Sequence, residues 1–79
     1  MSVIELDLSG LKCPLPALRT RKTLLSMNPG DQLRVICTDP LAGIDLPNLV
    51  RELGDVLIEQ RRDEKHMIFL IAKAVPATQ

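Results

Sequence analysis

From Val3 to Leu8 the chain sets Ile4, Leu6 and Leu8 against Val3, Glu5 and Asp7, the two-residue period of a strand with one buried face. Ser9-Gly10 breaks that alternation. Behind Pro14 the spacing changes: Ala17, Leu18, Leu24 and Leu25 recur on one helical face, with Arg19, Arg21, Lys22 and Ser26 on the others, which predicts a helix of about 14 residues. Asn28-Pro29-Gly30-Asp31 ends it, because Pro cannot continue a helix and Gly permits a left-handed turn. Leu33, Val35 and Cys37 then alternate with Arg34, Ile36 and Thr38 as a second strand. Strand, helix and strand in that order read as a right-handed unit with its two strands parallel.

Asp39-Pro40 punctuates the exit from that unit. Asp45-Leu46-Pro47 has the form of an N-cap with Pro in the first turn, and Leu46, Leu49, Val50 and Leu53 make the apolar face of a second helix closed by Gly54. Val56, Ile58 and Gln60 alternate with Leu57, Glu59 and Arg61 in a third strand. Met67 to Ala74 forms a fourth after the polar turn Arg62-Asp63-Glu64-Lys65, so the last two strands should pair as a hairpin. The order β-α-β-α-β-β predicts two helices on one face of a four-stranded sheet. The other face should carry Val3, Ile36, Leu57, Met67, Phe69 and Ile71, or part of that set. A partner or a second copy would cover such a face, unless it is simply a slightly apolar open surface; the expected state is a monomer or weak dimer. Residues 1–75 make one domain and 76–79 a flexible tail.

The stretch Leu11-Lys12-Cys13-Pro14-Leu15-Pro16 carries the candidate chemistry. Pro is tolerated in the first turn of a helix and not later, so Cys13 should sit at the N-cap or first turn. Free N–H groups and the positive end of the helix dipole there favour an anion, which would lower the thiol pKa. Pro14 and Pro16 lack an N–H, leaving Leu15 and Ala17 as the first donors able to face the sulfur, and both prolines stiffen the helix start. Lys12 and Gly10 argue for exposure. The competing reading is a small buried cysteine whose prolines do no more than start a helix.

Composition narrows the choice of partner. The 79 residues carry no formal net charge, 46% are hydrophobic and 25% charged, the balance of a single soluble globular domain without bulk attraction to nucleic acid or anionic membrane. Phe69 is the only aromatic residue, which removes any stacking platform for single-stranded bases, so direct sequence-specific nucleic-acid binding is not expected. No apolar run approaches the ~20 residues that span a bilayer and no leader pattern opens the chain, so the expected location is cytoplasmic. Two cysteines, Cys13 and Cys37, are too few for a disulfide framework, and their spacing fits no zinc site; no metal or cofactor is expected. Cys37 reads as core at the inner end of the second strand. The lone His66, beside the hairpin turn, is expected to be solvated and distant from Cys13.

Taken together, Leu8-x-Gly10-Leu11-Lys12-Cys13-Pro14-x-Pro16, Arg21-Lys22, Asn28-Pro29-Gly30-Asp31, Thr38-Asp39-Pro40 and Asp45-Leu46-Pro47 resemble the small sulfur carriers of the TusA type, also called SirA-like, over nearly the whole chain. The resemblance implies an α+β two-layer sandwich with a mixed sheet whose fourth strand runs antiparallel. It implies a sulfurtransferase in which Cys13 accepts sulfane sulfur from a cysteine desulfurase or rhodanese-like donor, holds it as a persulfide and relays it to an acceptor cysteine. Destinations in the family include tRNA thiolation, molybdenum-cofactor maturation and sulfur oxidation. Lys12, Pro14 and Pro16 would support the active motif. Arg19, Arg21 and Lys22 read from their pattern as a solvated cationic face, which the resemblance turns into docking contacts. Asp45 reads first as an N-cap, and the resemblance places it near the active tip, orienting the loop or a partner. Leu15 and Ile44 depart from the family, in which some members place Glu at the first position and a basic residue often stands at the second.

Two other classes stay open. One is a non-catalytic adaptor that binds a partner through the first helix and the open sheet face, with Cys13 structural or redox-sensing. The other is a dithiol protein using Cys13 and Cys37, which would need their Cα atoms within about 7 Å.

Overall fold

A computed structural model describes residues 2–75. Its elements follow the expected order: β1 (Val3–Leu8), α1 (Leu15–Ser26), β2 (Gln32–Cys37), α2 (Ala42–Leu53), β3 (Val56–Arg62) and β4 (Met67–Ala72). They form a four-stranded sheet in the order β1-β2-β4-β3. β1 and β2 are parallel, and β4 is antiparallel to both β2 and β3. The fold is therefore the expected α+β sandwich with a mixed sheet. The tail assigned to 76–79 lies outside the described residues.

The core lies between the sheet and the helices. Ile4, Leu6 and Leu8 of β1 turn inward as their alternation requires, beside Leu33, Val35 and Cys37 of β2. Leu46, Leu49 and Val50 of α2 close over them. The helical reading of α1 needs correction. Its buried residues are Pro16, Thr20 and Leu24, whereas Leu18 and Leu25 are 55% and 60% exposed. The face turns because Pro16 packs inward at the helix start, which carries Thr20 and Leu24, four and eight positions on, onto the sheet side.

The expected open face is also revised. Met67, Phe69 and Ile71 pair across β2 with Cys37, Val35 and Leu33 and are buried under the helices. Leu57 pairs with Ile71 and packs against the same core. Only Val3 and Ile36 of the named set face outward, joined there by Ile68 and Leu70. Met67–Ala72 is apolar at every position, so alternation within it was silent. Its neighbours settle which half is core.

β4 stops at Ala72 rather than Ala74. Lys73 instead exchanges backbone bonds with the α1–β2 turn, donating its N–H to the Asp31 carbonyl at 2.8 Å and accepting from Gly30 at 3.0 Å. The Ala74 N–H goes to Asp55 Oδ1 at 3.0 Å.

Register decides what the sheet places at one end. Leu8 pairs with Cys37, and Cys37 pairs with Met67. The β1–α1 connection (residues 9–14), the β2–α2 connection (38–41) and the β3–β4 turn (63–66) therefore leave the sheet at the same end. His66 is thus at the same end of the sheet as Cys13, but its imidazole lies 3.6 Å from Asp63 and shares no hydrogen bond with Cys13.

Candidate functional site

The β1–α1 connection is braced before it reaches the thiol. Leu8 to Leu11 closes a turn through the Leu11 N–H to the Leu8 carbonyl at 3.1 Å, with Gly10 at φ +86°, a conformation that favours glycine. The Gly10 N–H donates to Thr38 Oγ1 at 2.8 Å, tying this turn to the end of β2. Three residues later the Cys13 N–H donates to Asp39 Oδ2. The other Asp39 oxygen accepts the Leu41 N–H at 3.1 Å, and the Asp39 carbonyl accepts from Ala42 at 3.0 Å. One side chain thus holds the backbone of Cys13 and the start of α2. Sequence reasoning passed over Asp39 as punctuation, yet an Asp before Pro at a helix entry is a recognisable signal for a side chain that turns back onto its own backbone.

Cys13 stands outside α1. Pro14 is the N-cap, the Cys13–Pro14 peptide is cis, and no side chain caps the helix. The Leu15 N–H, expected to face the sulfur, donates to the Lys12 carbonyl at 2.9 Å. Pro16 has no N–H. The sulfur finds a carboxylate instead: Cys13 Sγ lies 3.1 Å from Asp45 Oδ2, with the thiol as donor. The expectation of an acidified thiol is therefore overturned. The hydrogen bond to Asp45 comes first among the causes that raise the Cys13 pKa above its ordinary value, followed by desolvation and by the charges of Asp45 and Asp39. The thiol itself is exposed, which disposes of the buried-cysteine reading.

Asp45 is not the N-cap. α2 begins at Ala42 with Leu41 as its cap, so Asp45 stands in the first turn and gives its N–H to the Leu41 carbonyl at 2.9 Å. Asp39 starts the helix earlier than the Asp45-x-Pro47 pattern suggested, and Pro47 falls inside it. From the first turn of α2 the Asp45 side chain reaches across to the thiol.

The other expected site residues lie around this centre without touching the sulfur. Lys12 and Pro14 are exposed beside it and Pro16 is buried. Arg19, Arg21 and Lys22 are exposed on α1, about 6 to 10 Å along its axis from Leu15. None of the three is ion-paired among the described residues. Leu15, Leu41 and Ile44 are 46%, 50% and 62% exposed. Each belongs to a segment that carries or adjoins Cys13, Asp39 or Asp45.

Cys37 is fully buried in the core, and burial pushes its thiol up to about 11. Both cysteines are free. A resolving thiol has to reach its partner, and Cys37 is closed off, so the dithiol reading finds no support. The described residues contain no cluster of His, Cys, Asp and Glu that could hold a metal, and no helix among them is long and apolar enough to cross a membrane.

Comparison with known proteins identifies the family and the fold. The profile of the family described as Sulfurtransferase TusA matches residues 4–73. A sulfur carrier protein TusA of Allochromatium vinosum is 44% identical over 89% of this chain and 92% of its own length. A putative sulfur carrier protein of Neisseria meningitidis is 48% identical over 75% of this chain and 80% of its own. The crystal structure of a SirA-like protein from Desulfitobacterium hafniense superposes with a TM-score of 0.77 over 95% of this chain and all of that one, at 22% identity, which speaks for the fold.

Proposed function

The chain belongs to the TusA family of sulfur carriers, and from that premise we propose that Cys13 accepts one sulfane sulfur, holds it as a persulfide and passes it to the cysteine of an acceptor protein. The donor is a cysteine desulfurase or a rhodanese-like protein. In the loading step Cys13 gives up its S–H proton and its sulfur attacks the outer sulfur of the donor persulfide R–S–SH. The donor S–S bond breaks, R–S⁻ takes up the proton as R–SH, and Cys13 is left as Cys–S–SH. The second transfer repeats this exchange with the acceptor thiol as attacker. Neither step needs an oxidant, reductant or metal, since the mobile sulfur keeps its oxidation state.

One observation carries the reading: the single exposed thiol sits on a connection held by Thr38 and Asp39 from another part of the chain, in the open and in a fixed place. Such a sulfur suits hand-to-hand exchange between proteins. The exposed Leu15, Leu41 and Ile44 supply apolar contact area for a partner. The cationic Arg19, Arg21 and Lys22 supply steering toward an acidic one. The work takes place in the cytoplasm, and the delivered sulfur ends in tRNA thiolation, molybdenum-cofactor maturation or sulfur oxidation.

The adaptor reading makes the opposite statement about Cys13, so a single substitution separates the two. In cells lacking their own carrier, Cys13→Ala should leave the sulfur-dependent product unmade although the protein is folded and present. Full restoration by Cys13→Ala would favour an adaptor.

A further inference from the structure

The contact between Cys13 Sγ and Asp45 Oδ2, 3.1 Å, is an unusual one for a sulfur meant to attack another sulfur, because exchange runs through the thiolate and a carboxylate accepting from S–H stabilises the thiol. We propose that Asp45 is the residue that holds the Cys13 proton, so that the empty carrier presents a thiol rather than a thiolate. This rests on Cys13 being the sulfur-carrying residue.

The hydrogen-bonding groups around the sulfur that carry a charge are carboxylates, which favour the thiol. From α2 comes Asp45. From the β2–α2 connection comes Asp39, whose carboxylate is already engaged by the N–H groups of Cys13 and Leu41. On the connection that bears the thiol, Lys12 is the neighbouring cation, but its main-chain carbonyl is the group that enters the local bonding. The first turn of α1, Leu15 to Leu18, brings no charged side chain. Among the described residues the ion pairs Glu5–Arg34, Glu59–Arg61, Asp63–His66 and Asp55–Lys73 all lie elsewhere. Neither carboxylate at the thiol is paired with a cation, so neither is kept from acting on the sulfur.

The arrangement distinguishes the empty carrier from the loaded one. In Cys13–S–SH the inner sulfur bears no hydrogen and cannot donate to Asp45. The reactive outer sulfur stands a further S–S bond, about 2.05 Å, from Sγ. The hold on Sγ therefore applies to the empty state alone. An empty carrier moving between partners keeps an exposed cysteine in its least reactive form toward oxidants and alkylating agents, while the loaded one is released from that restraint. Asp45 is accordingly a residue of the exchange chemistry, touching the reacting atom.

The test is the pH profile of alkylation by iodoacetamide, with the modified residue identified by peptide mass. The wild type should react at Cys13 more slowly than free cysteine at neutral pH. Asp45→Asn should react several-fold faster there, with its midpoint at lower pH. Cys37 should remain unmodified in both, whereas a merely structural loosening would expose Cys37 as well. Equal midpoints and equal rates for wild type and Asp45→Asn would overturn the proposal. If Asp45→Asn fails to fold, the ultraviolet thiolate absorbance of the wild type decides the matter: titration at or below the midpoint of free cysteine overturns it. The result is separable from the carrier reading. A protein whose alkylation shifts as expected but which never takes up sulfur would sink the carrier and leave the proton hold standing; the converse result would do the reverse.

Discussion

Asp39 and Cys13 are 26 positions apart in the chain, and the carboxylate of the first receives the backbone N–H of the second. The bond crosses from the exit of β2 to the connection after β1, and its companion to the Leu41 N–H anchors the start of α2. Removing that carboxylate would free two backbone donors together. Asp39→Ala is expected to cost about 1–3 kcal/mol in urea unfolding and to speed amide exchange at Cys13 and Leu41. Sulfur transfer should fall more than stability alone explains, because the thiol loses its fixed place.

The two faces of β4 give a paired expectation. Phe69 is fully buried whereas Leu70, next to it, lies on the open face. Phe69→Ala should destabilise by about 3–5 kcal/mol. Leu70→Ala should cost only about 1 kcal/mol, given its partial burial. Urea titrations of both variants would check the assignment, and equal costs would contradict it.

Cys37 sets an alkaline limit. Its thiol titrates near 9.0 in the unfolded chain and about 11 in the folded one, mainly through burial. A raised folded value means that the native state keeps its proton longer. The associated stability is complete below about 9, declines as pH rises, and is gone above about 11. Cys37→Ala removes this dependence. The difference in unfolding free energy between wild type and variant should therefore narrow as pH climbs from 9 to 11, measured by urea titration at fixed ionic strength.

Charge reversal on α1 tests the docking face. Arg21→Glu with Lys22→Glu leaves the core intact, since both side chains are exposed, so the thermal midpoint should hardly move. Binding to a sulfur-donor protein should weaken on the order of tenfold, mostly through slower association, and the loss should shrink at high salt. Unchanged binding at low salt would remove these residues from the interface.

The legible part of this molecule was its periodicity. Strict alternation in β1 and β2 identified both the strands and their inward faces, and Gly54, at φ +77°, ended α2 where expected. What failed to show was orientation wherever the local pattern is uniform or divided. β4 is apolar throughout, so its face depends on which residues of β2 it meets. α1 carries more leucines than it buries, and Leu18 and Leu25 go outward because Pro16 fixes the rotation of the helix. Cys13 could be singled out from its prolines, but its electrostatics could not. The sulfur's partner comes from a residue 32 positions away, and only the packing of α2 beside α1 reveals that a carboxylate, not the amides of a helix start, is the group hydrogen-bonded to the thiol.

The central claim is that Cys13 carries sulfur, and intact mass tests it most directly. The purified protein is incubated with a cysteine desulfurase, or with a rhodanese-like donor, and its sulfur source, then weighed before and after mild reduction. The account predicts a gain of one sulfur atom that reduction removes and that Cys13→Ser never shows. No gain with either donor, or an equal gain in Cys13→Ser, would contradict it.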